Sequence, residues 1–349
     1  MINVVVIDDS AFNRVTLTKM LESADDLRVV ATAVDGEDGI KQVLRHRPDA
    51  VTLDLEMPGM DGFAFLRWLM VTRPTPVIVV SSRASDRSVF KALELGAVDF
   101  IAKPGRVSPR LEEIRDDLLG KVRQCVDIRL DNVRKQIRDE EPAVVRPKEA
   151  PAVAPGLVDC IVIGASTGGP PALQRLVQDL PALAVPVVVA QHMPAVFTRL
   201  FAERINRLSA FDVKEGADGD FLRPGAVYIA PGGMQTTIRR DGGHLRLQVA
   251  QKDANDLHAP SVNRLFQSAM DACGERLVAV VLTGMGDDGA AAMRRIGEQG
   301  GWTIAEAAST AIIYGMPGEA IRTGAVREVL PLGEIPSAIA RAVVRHPER

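Results

Sequence analysis

Short apolar runs rich in β-branched residues recur along this chain with segments of helical spacing between them. That alternation limits the fold more than any other feature. Over residues 1–104 the runs are INVVVI, LRVVATA, AVTLDL, PVIVVSS and VDFIAK, separated by stretches such as AFNRVTLTKMLES and GIKQVLRHR. A strand buried on both faces reads as an unbroken apolar run, the pattern of a parallel sheet covered by helices. Five such units in about 100 residues predict an α/β, flavodoxin-like doubly wound domain. The rhythm resumes at DCIVIGAS and continues through VPVVVAQ, AVYIAP and LVAVVLTG, with VNRLFQSAMDA and GAAAMRRIGEQ as helical partners. One stretch breaks it: Asp241-Gly242-Gly243, between TTIRR and HLRLQV, marks a β-hairpin. The second half is therefore expected to be an α/β domain with a mostly parallel sheet and a hairpin insertion.

Between the halves the composition changes. Charge-rich text from Pro109 reads as a last helix extended past Gly120, and EEPAVVRPKEAPAVAPG is proline-rich with little to bury, so it reads as an extended linker. The expected boundaries are 1–120, a helical and proline-rich linker 121–156, and 157–349. Two domains also suit a length of 349 residues.

Composition excludes several classes. No apolar run approaches the roughly 20 residues of a membrane span, and MINVVVIDDS lacks the charged start and cleavage site of a signal peptide. Cys125, Cys160 and Cys273 are scattered, which fits buried or idle thiols in a reducing cytoplasm rather than disulfides or a metal knuckle. Net charge is −3, and residues 157–349 hold 19 Lys and Arg against 20 Asp and Glu. Without a basic face or a helix-turn-helix pattern, nucleic acid is not the expected partner.

In open α/β sheets ligands sit outside the carboxyl ends of the strands. Asp8 and Asp9 end the first run, Asp54 the third, Ser81 the fourth, and Lys103 follows the fifth. Three carboxylates gathered there repel one another unless a cation neutralises them, and all-oxygen ligation suits Mg²⁺. Together, Asp8-Asp9, Asp54 in LDLEMPGMDG, Ser81 and Lys103-Pro104 resemble the receiver domain of bacterial two-component response regulators. The resemblance implies that Asp54 is phosphorylated by a histidine kinase, with Asp8, Asp9 and Asp54 around Mg²⁺. It further implies that Ser81 and Lys103 contact the phosphoryl oxygens and that Phe100 repacks as part of the switch.

The second candidate site is GASTGGPP, residues 164–171. A phosphate-binding P-loop fails because Pro170-Pro171 stand where Lys and Ser/Thr are needed, and no second glycine completes a dinucleotide fingerprint. Gly164-x-Ser166-x-Gly168 does match a strand-to-helix turn that holds a serine hydroxyl out at the top of a sheet, although a plain turn fits as well. A nucleophile needs a base. His46 at a helix end, His244 after the hairpin turn and His346 in the tail read as surface residues, and His258 reads as a local polar or groove residue. His192, ending VPVVVAQH, shares the sheet edge with Ser166 and is preferred. For the orienting acid, Asp287 and Asp288 both lie in the GMGDDG loop, and spacing does not choose between them.

GASTGGPPAL, QHMP, HAPSVNRLF, LTGMGDDGAAAM and YGMPGEAI resemble the catalytic domain of the chemotaxis protein-glutamate methylesterases, over about residues 157–340. By position the resemblance implies Ser166 as nucleophile, His192 as base and Asp288 as acid; backbone N–H groups near Thr167 and Met285 are the candidates for holding the oxyanion. It implies hydrolysis of glutamate γ-methyl esters, and deamidation of certain glutamines, on methyl-accepting chemoreceptors. No cofactor is expected for that reaction, and the membrane would be met only through the receptors. The resemblance also implies an unphosphorylated receiver that restrains the catalytic half. One departure stands out: Ala308 lies where the family usually carries an acidic residue.

Overall fold

The computed structural model describes residues 1–81, 86–103, 111–138 and 157–344. The proline-rich linker, Pro104 and His346, all singled out above, lie outside the described residues. The chain divides into two compact units, Met1–Glu141 and Pro142–Arg349.

In the first unit the five predicted runs become strands β1 (Ile2–Ile7), β2 (Leu27–Ala33), β3 (Ala50–Asp54), β4 (Val77–Ser81) and β5 (Asp99–Ala102). They form one parallel sheet in the order β2-β1-β3-β4-β5. Helices α1 (Ala11–Leu21), α2 (Gly36–His46), α3 (Gly62–Thr72), α4 (Asp86–Glu94) and α5 (Leu111–Gln124) connect and cover it. Side-chain caps start the first three: Ser10, Asp35 and Asp61 accept the N–H groups of Asn13, Asp38 and Ala64. Chain order reverses beside β1, so the ends of β1 and β3 flank the crevice where such sheets bind ligands. The segment after residue 120, assigned above to a linker, packs on this unit. Val122 and Cys125 join its core, and Val133 of α6 (Leu130–Arg138) is buried, because the apolar side chains recur at helical spacing.

The second unit is a seven-stranded sheet in the order β14-β13-β12-β6-β7-β9-β8, and every neighbouring pair is parallel. Its central strands β6 (Cys160–Ala165), β7 (Val187–Gln191) and β12 (Leu277–Val281) are buried at every residue. These are the runs most legible in the sequence. Outside them lie β8 (Asp212–Glu215), β9 (Ala226–Ile229), β13 (Trp302–Glu306) and β14 (Glu328–Leu330). Helices α7 (Gly169–Asp179), α8 (Ala195–Leu208), α9 (Val262–Cys273), α10 (Ala290–Glu298), α11 (Met316–Arg322) and α12 (Ile335–Val344) complete the layers. The hairpin forms from β10 (Met234–Asp241) and β11 (His244–Gln251), with Gly242 and Gly243 as its two-residue loop. It is a separate two-stranded sheet whose Ile238, Leu245 and Leu247 join the core over α9 and Tyr228. All three cysteines are buried and free.

Candidate active site

The chain runs from β6 outward to β7 and the edge strand β8, comes back to lay β9 between those two, and then crosses to place β12 on the other side of β6. The carboxyl ends of β12, β6 and β7 are therefore adjacent, with the reversal of chain order among them. Ser166 follows β6, His192 follows β7, and Asp288 lies in the loop after β12.

Ser166 sits on a tight turn. Its N–H donates to the carbonyl of Thr283 (3.0 Å), and its own carbonyl accepts from Gly169 N–H (2.8 Å) and from the Gln191 side-chain amide (2.9 Å). Gly168 has φ +76°, a left-handed conformation that lets the strand turn sharply into α7. Gly284 is needed for a different reason. A Cβ there would lie 2.8 Å from the Ser166 Cβ and 2.4 Å from the Met316 sulfur.

The His192 ring joins the other two side chains. Its Nδ1 is 3.2 Å from Ser166 Oγ, and its Nε2 is 2.9 Å from Asp288 Oδ2. Asp288 also accepts from the backbone N–H groups of Val262 (2.8 Å) and Asn263 (2.8 Å) and from the Ser261 hydroxyl (3.1 Å). Those N–H groups open α9, so the carboxylate sits at the positive end of a helix. Burial opposes its charge, but the hydrogen bond to His192 and those from Asn263 and Val262 prevail and hold the carboxyl at about 2. An ionised Asp288 only accepts, which fixes the proton of neutral His192 on Nε2 and leaves the Nδ1 lone pair toward Ser166. Asp287, the alternative acid, is exposed.

His258 stacks on His192, with centroids 4.3 Å apart and planes within 9°. His258 is otherwise exposed, and desolvation of its ring on the stacked side, then the charge His192 carries when protonated, lower its pKa. Ligand atoms of His192, His258 and Asp288 lie within 4.8 Å of one another. Parallel stacked rings direct their lone pairs side by side rather than toward one point, and Asp288 spends its oxygens on four donors, so the cluster is suited to relaying a proton rather than holding a metal. Thr167 is buried beside Ser166, and Met285 is exposed between Gly284 and Gly286, next to the turn. His46 ends α2 of the first unit, and His244 starts β11 of the second.

Three residues of this site escaped the sequence reading. Gln191 ties Ser166 to His192, its amide donating to the carbonyls of both (2.9 and 3.0 Å). Thr283 holds the turn, and fully buried Glu306 accepts the Thr283 N–H (2.8 Å). The signal for two of them was there: Gln191 is the single polar residue ending an otherwise apolar strand, and Glu306 is the one charged residue of the buried run WTIAE.

In the first unit Asp8 and Asp54 are buried, Asp9 is exposed, and an oxygen of each lies within 4.8 Å of the others. Lys103 pairs with Asp54 and with Asp8 (3.4 Å). Burial raises the Asp54 carboxyl against the opposing pull of Lys103, with the Asp8 charge adding to the rise. Two buried carboxylates sharing one lysine, with a third at the rim, are an under-neutralised oxygen set, which fits a hard divalent cation. Phe100 is buried, packs edge-on against Phe90, and its carbonyl accepts from Lys121 (2.6 Å). Ser81 ends β4 on the same sheet edge.

Residues 161–339 match the family model for the CheB methylesterase, and residues 4–115 match that for the response regulator receiver domain. The chain belongs to the CheB methylesterase family. It is 47% identical to a protein-glutamate methylesterase/protein-glutamine glutaminase of Geobacter sulfurreducens, over 95% of this chain and 94% of that one. A relative of the same name from Myxococcus xanthus is 50% identical, over 97% of this chain and 96% of its own. Among solved structures, the CheB methylesterase catalytic domain of Thermotoga maritima covers 53% of this chain and 99% of its own, with TM-score 0.52 and 36% identity. This CheB family member thus joins a receiver domain to a methylesterase domain, each an α/β fold with a parallel sheet.

Proposed function

We propose that this protein hydrolyses glutamate γ-methyl esters, and deamidates specific glutamines, on methyl-accepting chemoreceptors, and that phosphorylation of its receiver raises the activity. The observation that carries the proposal is the relay from Ser166 through His192 to Asp288, at 3.2 and 2.9 Å, on three adjacent strand ends. The relatives' names supply the substrate class.

In this reading His192 Nδ1 takes the Ser166 proton as Oγ attacks the γ-carbonyl, and Asp288 stabilises the imidazolium that results. The backbone N–H groups of Thr167 and Met285 hold the oxyanion, each such donor worth about 3–4 kcal/mol of barrier. His192 returns the proton to the departing methoxide, methanol leaves, and an acyl-Ser166 remains. Water attacks that ester with His192 again as base, giving free glutamate and regenerated serine. A glutamine substrate follows the same course with ammonia as leaving group. None of these steps calls on a cofactor. Ser166→Ala removes the attacking oxygen, so methanol release should stop while Asp54 still accepts phosphate; turnover by that variant would refute the assignment.

In the receiver, Asp54 is the proposed phosphate acceptor from a chemotaxis histidine kinase. Asp8, Asp9 and Asp54 would hold Mg²⁺, which when bound offsets charge on the transferring group. Lys103 and Ser81 are the proposed contacts to the phosphoryl oxygens, and Phe100 the residue that repacks. No helix among the described residues is long and apolar enough to cross a membrane. We place the protein in the cytoplasm, reaching the membrane only through its receptors.

A further inference from the structure

Behind the Ser166 turn lies a carboxyl that the mechanism does not use. Glu306 ends β13, is fully buried, and has one oxygen, Oε1, with no hydrogen-bond partner. Its other oxygen accepts the N–H of Thr283 (2.8 Å). Thr283 in turn holds the nucleophile from two sides: its carbonyl accepts the Ser166 N–H (3.0 Å), and its hydroxyl donates to the Thr167 carbonyl (3.0 Å). A third bond, from Ile313 N–H to that hydroxyl (3.0 Å), fixes the rotamer. Gly284 and Met285 follow directly, one against the Ser166 side chain and the other carrying a proposed oxyanion donor.

We propose that Glu306 is a positioning residue for acyl transfer: its uncharged carboxyl clamps Thr283 and so sets the Ser166 turn, and its ionisation slows the reaction. This rests on Ser166 being the nucleophile. Ionisation acts in one direction by two routes. A buried anion with an unpartnered oxygen draws on the strand-end peptides around it and disturbs the clamp. It also places negative charge on the peptide of Thr283, two residues before Met285, whose N–H is proposed to stabilise a second negative charge, the oxyanion.

The surroundings leave Glu306 free to titrate on its own. β12 contributes no titratable side chain, and β14 sets Leu330 beside Glu306. Arg294 of α10 pairs with Glu298, and Arg295 with Asp271. Glu319 and Arg322 of α11 pair with each other, and Arg341 of α12 pairs with Glu328. Among the described residues no cation pairs with Glu306. Burial pushes its carboxyl up to about 7, against the smaller opposing effects of the Thr283 N–H and of the Thr310 hydroxyl, which donates to the Ala307 carbonyl (3.4 Å) rather than to Oε1.

The test is the pH profile of methanol release from methylated receptor by the full-length protein, wild type against Glu306→Gln and Glu306→Leu. Gln keeps the acceptor for Thr283 without a titrating proton, whereas Leu removes the acceptor. Wild-type kcat should fall about tenfold between about pH 6 and pH 8.5, with KM little changed. In Glu306→Gln that fall should be absent; in Glu306→Leu, kcat should be low at every pH. An alkaline fall in Glu306→Gln equal to that of wild type, or a Glu306→Leu variant with wild-type kcat, overturns the proposal. Ser166→Ala in the same assay separates the two readings, because its turnover would refute the nucleophile and not Glu306.

Discussion

At the scale of single residues, the environment of each carboxylate decides what it contributes. Asp288 is buried yet ionised, because the start of α9 and His192 supply donors to the charge. Holding its carboxyl near 2 rather than 3.8 stabilises the fold by about 2 kcal/mol at neutral pH. The folded value is the lower one, so this stability is fully present above about pH 4 and is lost as pH falls through about 2. Denaturation of wild type and Asp288→Asn against pH should show that acid dependence only in wild type. The substitution should also cost about 10³–10⁴-fold in kcat, since an amide no longer fixes the imidazole tautomer. Glu306 has the opposite sign. Its folded value is raised from 4.5 to about 7, so stability is highest below about pH 4.5 and declines by about 3 kcal/mol as pH rises through 7. Glu306→Gln should flatten that decline in a urea titration at several pH values; an unchanged slope would show the carboxyl to be ionised throughout.

At the scale of elements, the turns between strand and helix carry the proposed relay, and glycine lets them approach. Gly284→Ala would drive a methyl into the Ser166 Cβ and the Met316 sulfur. The overlap displaces the Ser166 hydroxyl, the proposed nucleophile, rather than the substrate surface, so kcat should fall by about 10²-fold with KM nearly unchanged. A change confined to KM would mean that the turn does not move. The central strands were legible in the sequence because burial on both faces leaves only apolar side chains, as in CIVIGA, VVVAQ and LVAVV. The flanking β8, reading DVKE, and β14, reading EVL, were not legible, since a short strand away from the centre carries no such run. In the site, Ser166, His192 and Asp288 could be placed on one sheet edge from their positions after strands. Spacing did not decide between Asp287 and Asp288. What separates them in space is the start of α9, a long-range contact from residues 261–263 that no local pattern announces. Thr283 was missed for the same reason, and although Gln191 and Glu306 stand out as polar residues ending buried strands, what they hold is distant in sequence and could not be read there.

At the scale of the whole molecule, one chain carries two sheet-edge sites: an acidic cluster at the ends of β1 and β3, and a serine relay at the ends of β12, β6 and β7. Coupling between them is a matter of function. Asp54→Asn should leave basal methanol release in place and abolish its increase with a small-molecule phosphodonor, whereas an increase that survives would place the switch elsewhere. The central claim is that Ser166 attacks a γ-methyl ester, and the most direct measurement is methanol released from methylated receptor by full-length wild type and by Ser166→Ala. Sustained release by wild type and none by the variant is the predicted result. Equal release from both, or none from wild type that still accepts phosphate on Asp54, would contradict it.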